Sequence, residues 1–248
     1  MPGLTDKNKA RLRQFDDPEN LLRLIELPDR LWAEVKRDKK PNFRTLLKAQ
    51  GALAIGLLPH MPIRPQNLWS LKFDEHIFLH EGWGATSSLE LAATEVKNQV
   101  EAGFDIPDNL AKMLIEYRNR LVPKVIGRRP DRLFIKADGS PKNQWSVAWL
   151  IRTVLRRRLG LQFSGHAFRH LSAKTILDQE PGNFETVRQL LGHKSLRTTV
   201  SAYTGLSTRR AARHHQNLLE QALSPRKPVR GRRTSRRRNK RGTNETQG

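Results

Sequence analysis

The chain holds two tyrosines, Tyr117 and Tyr203, and only the second stands among residues that could make a phenol reactive. A phenol ionises near pH 10 and is a weak nucleophile until cations or a base stabilise its anion. Tyr203 lies near the end of LLGHKSLRTTVSAYTG, in which His193, Lys194 and Arg197 sit on the turn before it. Tyr117 instead shares helical spacing with Leu110, Met113, Leu114 and Leu121, as a packed core residue does. Upstream, GHAFRH sets His166 and Arg169 on one face of an expected helix, where both can reach a single ligand. Arginine offers a planar fork of donors that matches two phosphate oxygens; histidine donates a hydrogen bond or exchanges a proton near neutral pH. Taken singly, each feature has a plainer reading: a tyrosine that packs, an arginine on a solvated helix, or a metal pair from His166 and His170 at i and i+4. The metal reading lacks an HExxH pattern and a nearby carboxylate. His76 and His80 share that spacing but fall in an expected strand, where they are poorly placed to chelate. No metal and no cofactor is expected.

Several elements have to carry these residues. DPENLLRLIE and PDRLWAEVKRD read as two short helices within residues 18–39, each opened by an Asp/Pro signal, and a third helix runs from Asn42 to Leu58. From Leu71 to Pro107 the segments LKFDEHIFLH, SSLELAATEV and VEAGFDIP alternate between turns, which predicts a small antiparallel sheet. PDNLAKMLIEYRNRL is an amphipathic helix, and NQWSVAWLIRTVLRRRLG repeats Val147, Leu150, Ile151, Val154 and Leu155 at helical spacing. GHAFRHLSAKTILDQ, NFETVRQLLGH, SLRTTVSAY and STRRAARHHQNLLEQAL complete a mainly helical α+β chain.

Charge narrows the partner. The 248 residues carry a formal +22, which points to a polyanion, most naturally nucleic acid. Residues 224–248 hold ten basic residues and one acidic, so the rest of the chain keeps +13. This tail has too few apolar residues to fold and is expected to be disordered. With no cysteine, disulfides, thiol catalysis and Cys-based zinc sites are excluded. No apolar run approaches a membrane span and no signal-peptide pattern opens the chain, so a cytoplasmic, nucleoid-associated protein is expected. No phosphate-binding GxxxxGK[ST] loop occurs.

The run GHAFRHLSAKTILDQEPGNFETVRQLLGHKSLRTTVSAYTG resembles the C-terminal active-site block of the tyrosine recombinases, or phage-type integrases: His-x-x-Arg, then Leu-Gly-His, then Tyr. The resemblance implies two residues upstream. Arg64 in MPIRPQNLWSLKF stands at the family's first arginine, and Lys97 in ATEVKNQVEAGFDIP on the hairpin between strands two and three. Asn67 occupies the place where a glutamate often braces that arginine. The implied fold is a helical catalytic domain with a small three-stranded antiparallel sheet, over residues 41–223, after a short helical extension, 1–40, and before the basic tail, 224–248.

The chemistry implied by the resemblance is cleavage and rejoining of double-stranded DNA through a 3′-phosphotyrosyl link, without metal or ATP. Tyr203 is the nucleophile, Arg64 and Arg169 hold the non-bridging oxygens, and His193 adds a hydrogen bond. His166 assists proton transfer at the tyrosine, and Lys97 protonates the leaving 5′-oxygen. Arg156, Arg157 and Arg158 are among the cations expected on the duplex backbone. The expected assembly is a homotetramer on two duplexes, with no membrane and no small-molecule substrate. A type IB topoisomerase-like enzyme and a DNA-binding relative without catalysis are the alternatives.

Overall fold

In a computed structural model, residues 4–82 and 86–223 are described; the basic segment 224–248 lies outside them. The chain opens with α1 (Asp6–Arg13), whose first turn is capped by the Thr5 hydroxyl accepting the Asn8 N–H at 3.4 Å. A 3₁₀ turn at Gln14–Asp16 follows. Next comes α2 (Pro18–Arg37), with Asp17 as its cap and Pro18 in its first turn. Two helices were expected here, yet α2 runs unbroken through Pro28. An interior proline costs about 3 kcal/mol; burial of Leu24, Leu27, Leu31, Trp32 and Val35 offsets it, since each such side chain is worth about 1.5–3 kcal/mol. Pro28 meets α3 (Phe43–His60) at Gly56, where an added Cβ would stand 3.4 Å from the proline ring, so the two helices approach closely. The central turns of α3 are buried on every side, and a capping box between Asn42 and Thr45 starts it.

Beyond α3 comes the short α4 (Pro65–Ser70) and then the sheet. Strands β1 (Ile77–Phe78), β2 (Ser88–Leu91) and β3 (Ala102–Asp105) pair antiparallel in chain order. Leu89 faces Ile77 on one side and Phe104 on the other, and its inward side chain joins the core. β1 is shorter than LKFDEHIFLH suggested: Asp74 adopts φ 63°, a tight turn that leaves His76 ahead of the strand and His80 behind it. The helix from Asp108 also differs from its expected end at Leu121. It begins as α5 (Asp108–Glu116), widens into a π turn at Tyr117–Leu121, and resumes as α6 (Val122–Ile126) before Gly127 at φ 89°. Pro123 cannot donate to the preceding turn, and the wider turn accommodates it.

The C-terminal elements are α7 (Gln144–Leu159), α8 (Gly165–Gln179), α9 (Phe184–Leu191) and α10 (Leu196–Leu223). α10 joins two helices that were expected to be separate. One interior glycine, Gly205, lies at the join, and a glycine costs a helix only about 1 kcal/mol. Most buried side chains form one core around α2, α3, the sheet and α5; a second, small cluster of Ala173, Leu177, Val187, Leu191 and Tyr203 lies where α8, α9 and α10 meet. Contacts divide the chain into a compact unit, Met1–Ala211, and a second one, Ala212–Gly248, whose described part is helical. No described helix is long and apolar enough to cross a membrane.

Candidate active site

Arg64 owes its place to its neighbours. The chain leaves α3 at His60, and Pro65 occupies the first turn of α4, so Arg64 is held extended (φ −68°, ψ 147°) as the residue before the helix. Its guanidinium is half-buried, burial holds its pKa below the ordinary arginine range, and it has no ion-pair partner among the described residues.

Arg169 points inward from α8 and is 6% exposed. Nη1 donates to the Pro62 carbonyl at 2.5 Å and Nη2 to the Leu191 carbonyl at 2.6 Å. This side chain therefore ties the segment before Arg64 to the end of α9. Burial, then repulsion from Arg64, brings its pKa down to about 10, which leaves it cationic at neutral pH. Two guanidiniums close enough to repel, with neither paired to a carboxylate among the described residues, make a site that calls for an anion.

His193 follows Gly192, whose positive φ of 59° ends α9. Its Nδ1 lies 2.8 Å from the Thr199 hydroxyl. Burial, then Arg169, Arg64 and Arg188, lowers its pKa to about 4. His166 sits in the first turn of α8. It keeps an exposed edge, yet local desolvation, then Arg169 and Arg64, lowers its pKa as well. Both imidazoles are neutral at pH 7 and available as donors.

Tyr203 extends from α10 into the small cluster and is 2% exposed. Burial pushes its pKa up to about 12, while Arg169 pulls it the other way. Its hydroxyl lies 2.9 Å from Nδ1 of His170, whose ring also meets that of His166 edge-on at 5.0 Å. Burial and then His166, Arg169 and His193 lower the His170 pKa to about 4. Tyr203 and His170 are thus both neutral, and both feel the field of Arg169. The sequence singled out His170 only as half of a possible metal pair. Its place beside the phenol shows only after α8 and α10 pack, although its position directly after Arg169 was a usable signal.

Lys97 is exposed on the turn between β2 and β3, and its side chain makes no hydrogen bond or ion pair among the described residues. Its neighbour Asn98 donates from Nδ2 to the Gly192 carbonyl, which brings this turn beside His193. A clamp fixes the turn's base: Glu95 accepts the Ala92 N–H at 3.1 Å and lies 2.8 Å from His76 Nε2, while Asn67 Nδ2 donates to the Glu95 carbonyl at 3.0 Å. His76 Nδ1 accepts the Lys72 N–H at 3.0 Å, so the ring proton of neutral His76 is on Nε2 and points at Glu95. Glu75, His76 and Glu95 have the composition of a metal site, but with Nε2 carrying that proton they hold as a hydrogen-bonded strut. Asn67, in place of the glutamate expected to brace Arg64, serves the Lys97 turn instead. Tyr117 is fully buried and donates to the Leu133 carbonyl at 2.8 Å, as a core residue. Arg158 forms a two-pronged pair with Glu34 at 2.8 Å, whereas Arg156 and Arg157 are exposed.

The sequence pattern of the phage integrase family matches residues 32–210, a span that includes Arg64, Lys97, His166, Arg169, His193 and Tyr203. The chain belongs to the phage integrase family. A tyrosine recombinase similar to it, XerC of Staphylococcus carnosus (strain TM300), is 28% identical over 110 residues, 44% of this chain and 36% of that protein. Among solved structures, the XerH site-specific recombinase bound to difH substrate, a pre-cleavage complex, matches with a TM-score of 0.54 at 19% identity, over 79% of this chain and 52% of that one. XerH on palindromic difH substrate, a post-cleavage complex, gives 0.57 at 18% identity, over 88% and 53%. These likenesses show that the phage-integrase fold is present. The chain spans only about half the length of those XerH chains.

Proposed function

We propose that the protein is a site-specific DNA recombinase that cleaves and rejoins double-stranded DNA through a 3′-phosphotyrosyl intermediate. The convergence of Arg64, Arg169, His166 and His193 on the surroundings of Tyr203, with neither guanidinium paired to a carboxylate among the described residues, carries the proposal. The phosphate is the anion that the two guanidiniums call for, with Arg64 and Arg169 on its non-bridging oxygens, whose charge rises as the trigonal bipyramid forms. In this reading Thr199 is the donor to His193 Nδ1, 2.8 Å away, so that the Nε2–H of His193 is turned to the same phosphate. The Tyr203 oxygen bonds to phosphorus, the P–O5′ bond breaks, and its electron pair leaves on O5′, which takes a proton from Lys97. The phenol proton passes to His166. Because the phosphoester is conserved, a 5′-hydroxyl of another strand restores the backbone without ATP, and the guanidiniums supply the charge stabilisation without a metal. The catalytic unit is assigned to residues 41–223, with 1–40 as an extension and 224–248 as a basic tail. The working assembly is a homotetramer on two duplexes, in a cytoplasmic, nucleoid-associated setting.

With a pKa near 12, Tyr203 is a phenol at rest, and its burial requires it to move outward before it can attack. A nicked suicide substrate tests the reaction. In EDTA, a covalent protein–DNA adduct should accumulate on a denaturing gel and vanish in Tyr203→Phe. Persistence of the adduct in that variant, or its loss to EDTA, would contradict the mechanism.

A further inference from the structure

The N-terminal helix is fastened along α8, the helix that presents His166, Arg169 and His170. Phe15 meets Phe163 edge-on at 4.9 Å. Gln14 donates to the Gln162 carbonyl at 3.3 Å and accepts the Gln162 N–H at 3.0 Å. Asp16 pairs with Lys174 at 2.9 Å. Leu4 packs against the small cluster that encloses Tyr203.

From α1 a line of polar contacts runs to the phenol. Arg11 Nη1 donates to Asn8 Oδ1 at 3.2 Å, Asn8 Nδ2 lies 3.5 Å from His170 Nε2, and His170 Nδ1 lies 2.9 Å from the Tyr203 oxygen. Arginine fixes the direction of every bond, because a guanidinium can only donate. Asn8 must turn its oxygen to Arg11 and its amide N–H to His170. His170 Nε2 then accepts, the single ring proton of the neutral imidazole sits on Nδ1, and His170 donates to the phenol oxygen.

A side chain 2% exposed cannot bring its oxygen to a DNA phosphorus without leaving this contact. An interaction made at rest and lost in the attack raises the barrier. We infer that His170, oriented by Asn8 of α1, is a positioning residue that latches Tyr203 in its docked place, so that loosening α1 releases the nucleophile. The latch rests on Tyr203 being the nucleophile, and Tyr203→Phe tests that separately.

Three measurements on the 248-residue chain decide it. In ¹⁵N spectra His170 should show the Nδ1–H tautomer, and Asn8→Ala should shift it toward Nε2–H; an Nε2–H ring in the unaltered protein overturns the latch. Nitration of Tyr203, followed by mass spectrometry with fully buried Tyr117 as the internal control for unfolding, should rise about threefold to tenfold in His170→Leu, the range for one lost neutral hydrogen bond. His170→Asn, whose amide can still donate from the Nδ1 position, should restore the slow rate. Single-turnover adduct formation on the suicide substrate should rise with nitration in Asn8→Ala and in His170→Leu. Unchanged or slower adduct formation, while Tyr117 stays protected, overturns the latch and leaves the nucleophile assignment standing. Should Asn8→Ala unsettle α1, Arg11→Gln removes the orienting donor and should move both rates in the same direction.

Discussion

At the scale of single residues, the site concentrates positive charge and keeps its histidines neutral. Arg169 uses two of its five N–H donors on backbone carbonyls and stays charged, whereas His170 and His193 are both lowered to about 4 from an ordinary 6.5. That difference makes stability depend on pH. Between about 6.5 and 4 the unfolded chain binds more protons at these two positions than the folded chain does, so folding weakens as pH falls through that window and levels off below it. The combined loss is on the order of 3 kcal/mol, because partial exposure and shared repulsion reduce what the separate shifts suggest. Urea denaturation at pH 7 and pH 4.5 should show this drop, and a His170→Asn, His193→Asn double variant should flatten it. A drop of equal size in that variant would place the effect elsewhere. The types and spacing of Tyr203, His166, Arg169 and His193 made most of this candidate site legible in the sequence, because they lie on neighbouring elements. The contacts of His170 and Asn8 were hidden, since they join positions 162 and 33 residues apart and depend on which ring nitrogen faces which helix.

Among the elements, the β2–β3 hairpin has the most to deliver. Lys97 is exposed and makes no hydrogen bond or ion pair among the described residues, so in its proposed role its reach toward a leaving oxygen depends on where the turn is pinned. One pin is Asn98 on the Gly192 carbonyl; the other is Glu95, held by Asn67 and His76. Asn98→Ala should therefore lower the rate of adduct formation by about tenfold, with about 1 kcal/mol of lost stability for one hydrogen bond. Substrate affinity should change little. Single-turnover rates set beside binding isotherms would show it, and a loss confined to affinity would argue that the turn contacts DNA without serving the leaving group. Most elements were legible because helical periodicity dominates this chain. The departures share a cause: Pro28, Pro123 and Gly205 each break a local rule at a cost of only about 1–3 kcal/mol, so helices expected to stop continue instead. Asp74 works the other way, its positive φ shortening a strand that alternation alone made longer.

For the whole molecule the governing quantity is charge. Of the formal +22, +13 remains once residues 224–248, with ten basic residues and one acidic, are set aside, so the remainder is itself strongly basic, as the proposed DNA partner requires. Some of its cations are already engaged, as Arg158 is with Glu34, and an arginine paired in this way offers less to phosphate than exposed Arg156 or Arg157. In the proposed DNA-binding reading, the tail is a source of affinity and supplies no side chain to the chemistry. If it lies along the duplex backbone, each phosphate it neutralises releases counterions and adds about −0.9 to the slope of log affinity against log salt. Deleting residues 224–248 should accordingly flatten that slope by several units and weaken binding most at low salt. Single-turnover cleavage on saturating DNA should stay unchanged, because every side chain assigned to the chemistry lies before the deletion. Fluorescence anisotropy across a salt series reads the slope directly. An unchanged slope would remove the tail from the DNA and leave the +13 of residues 1–223 to account for the whole electrostatic term.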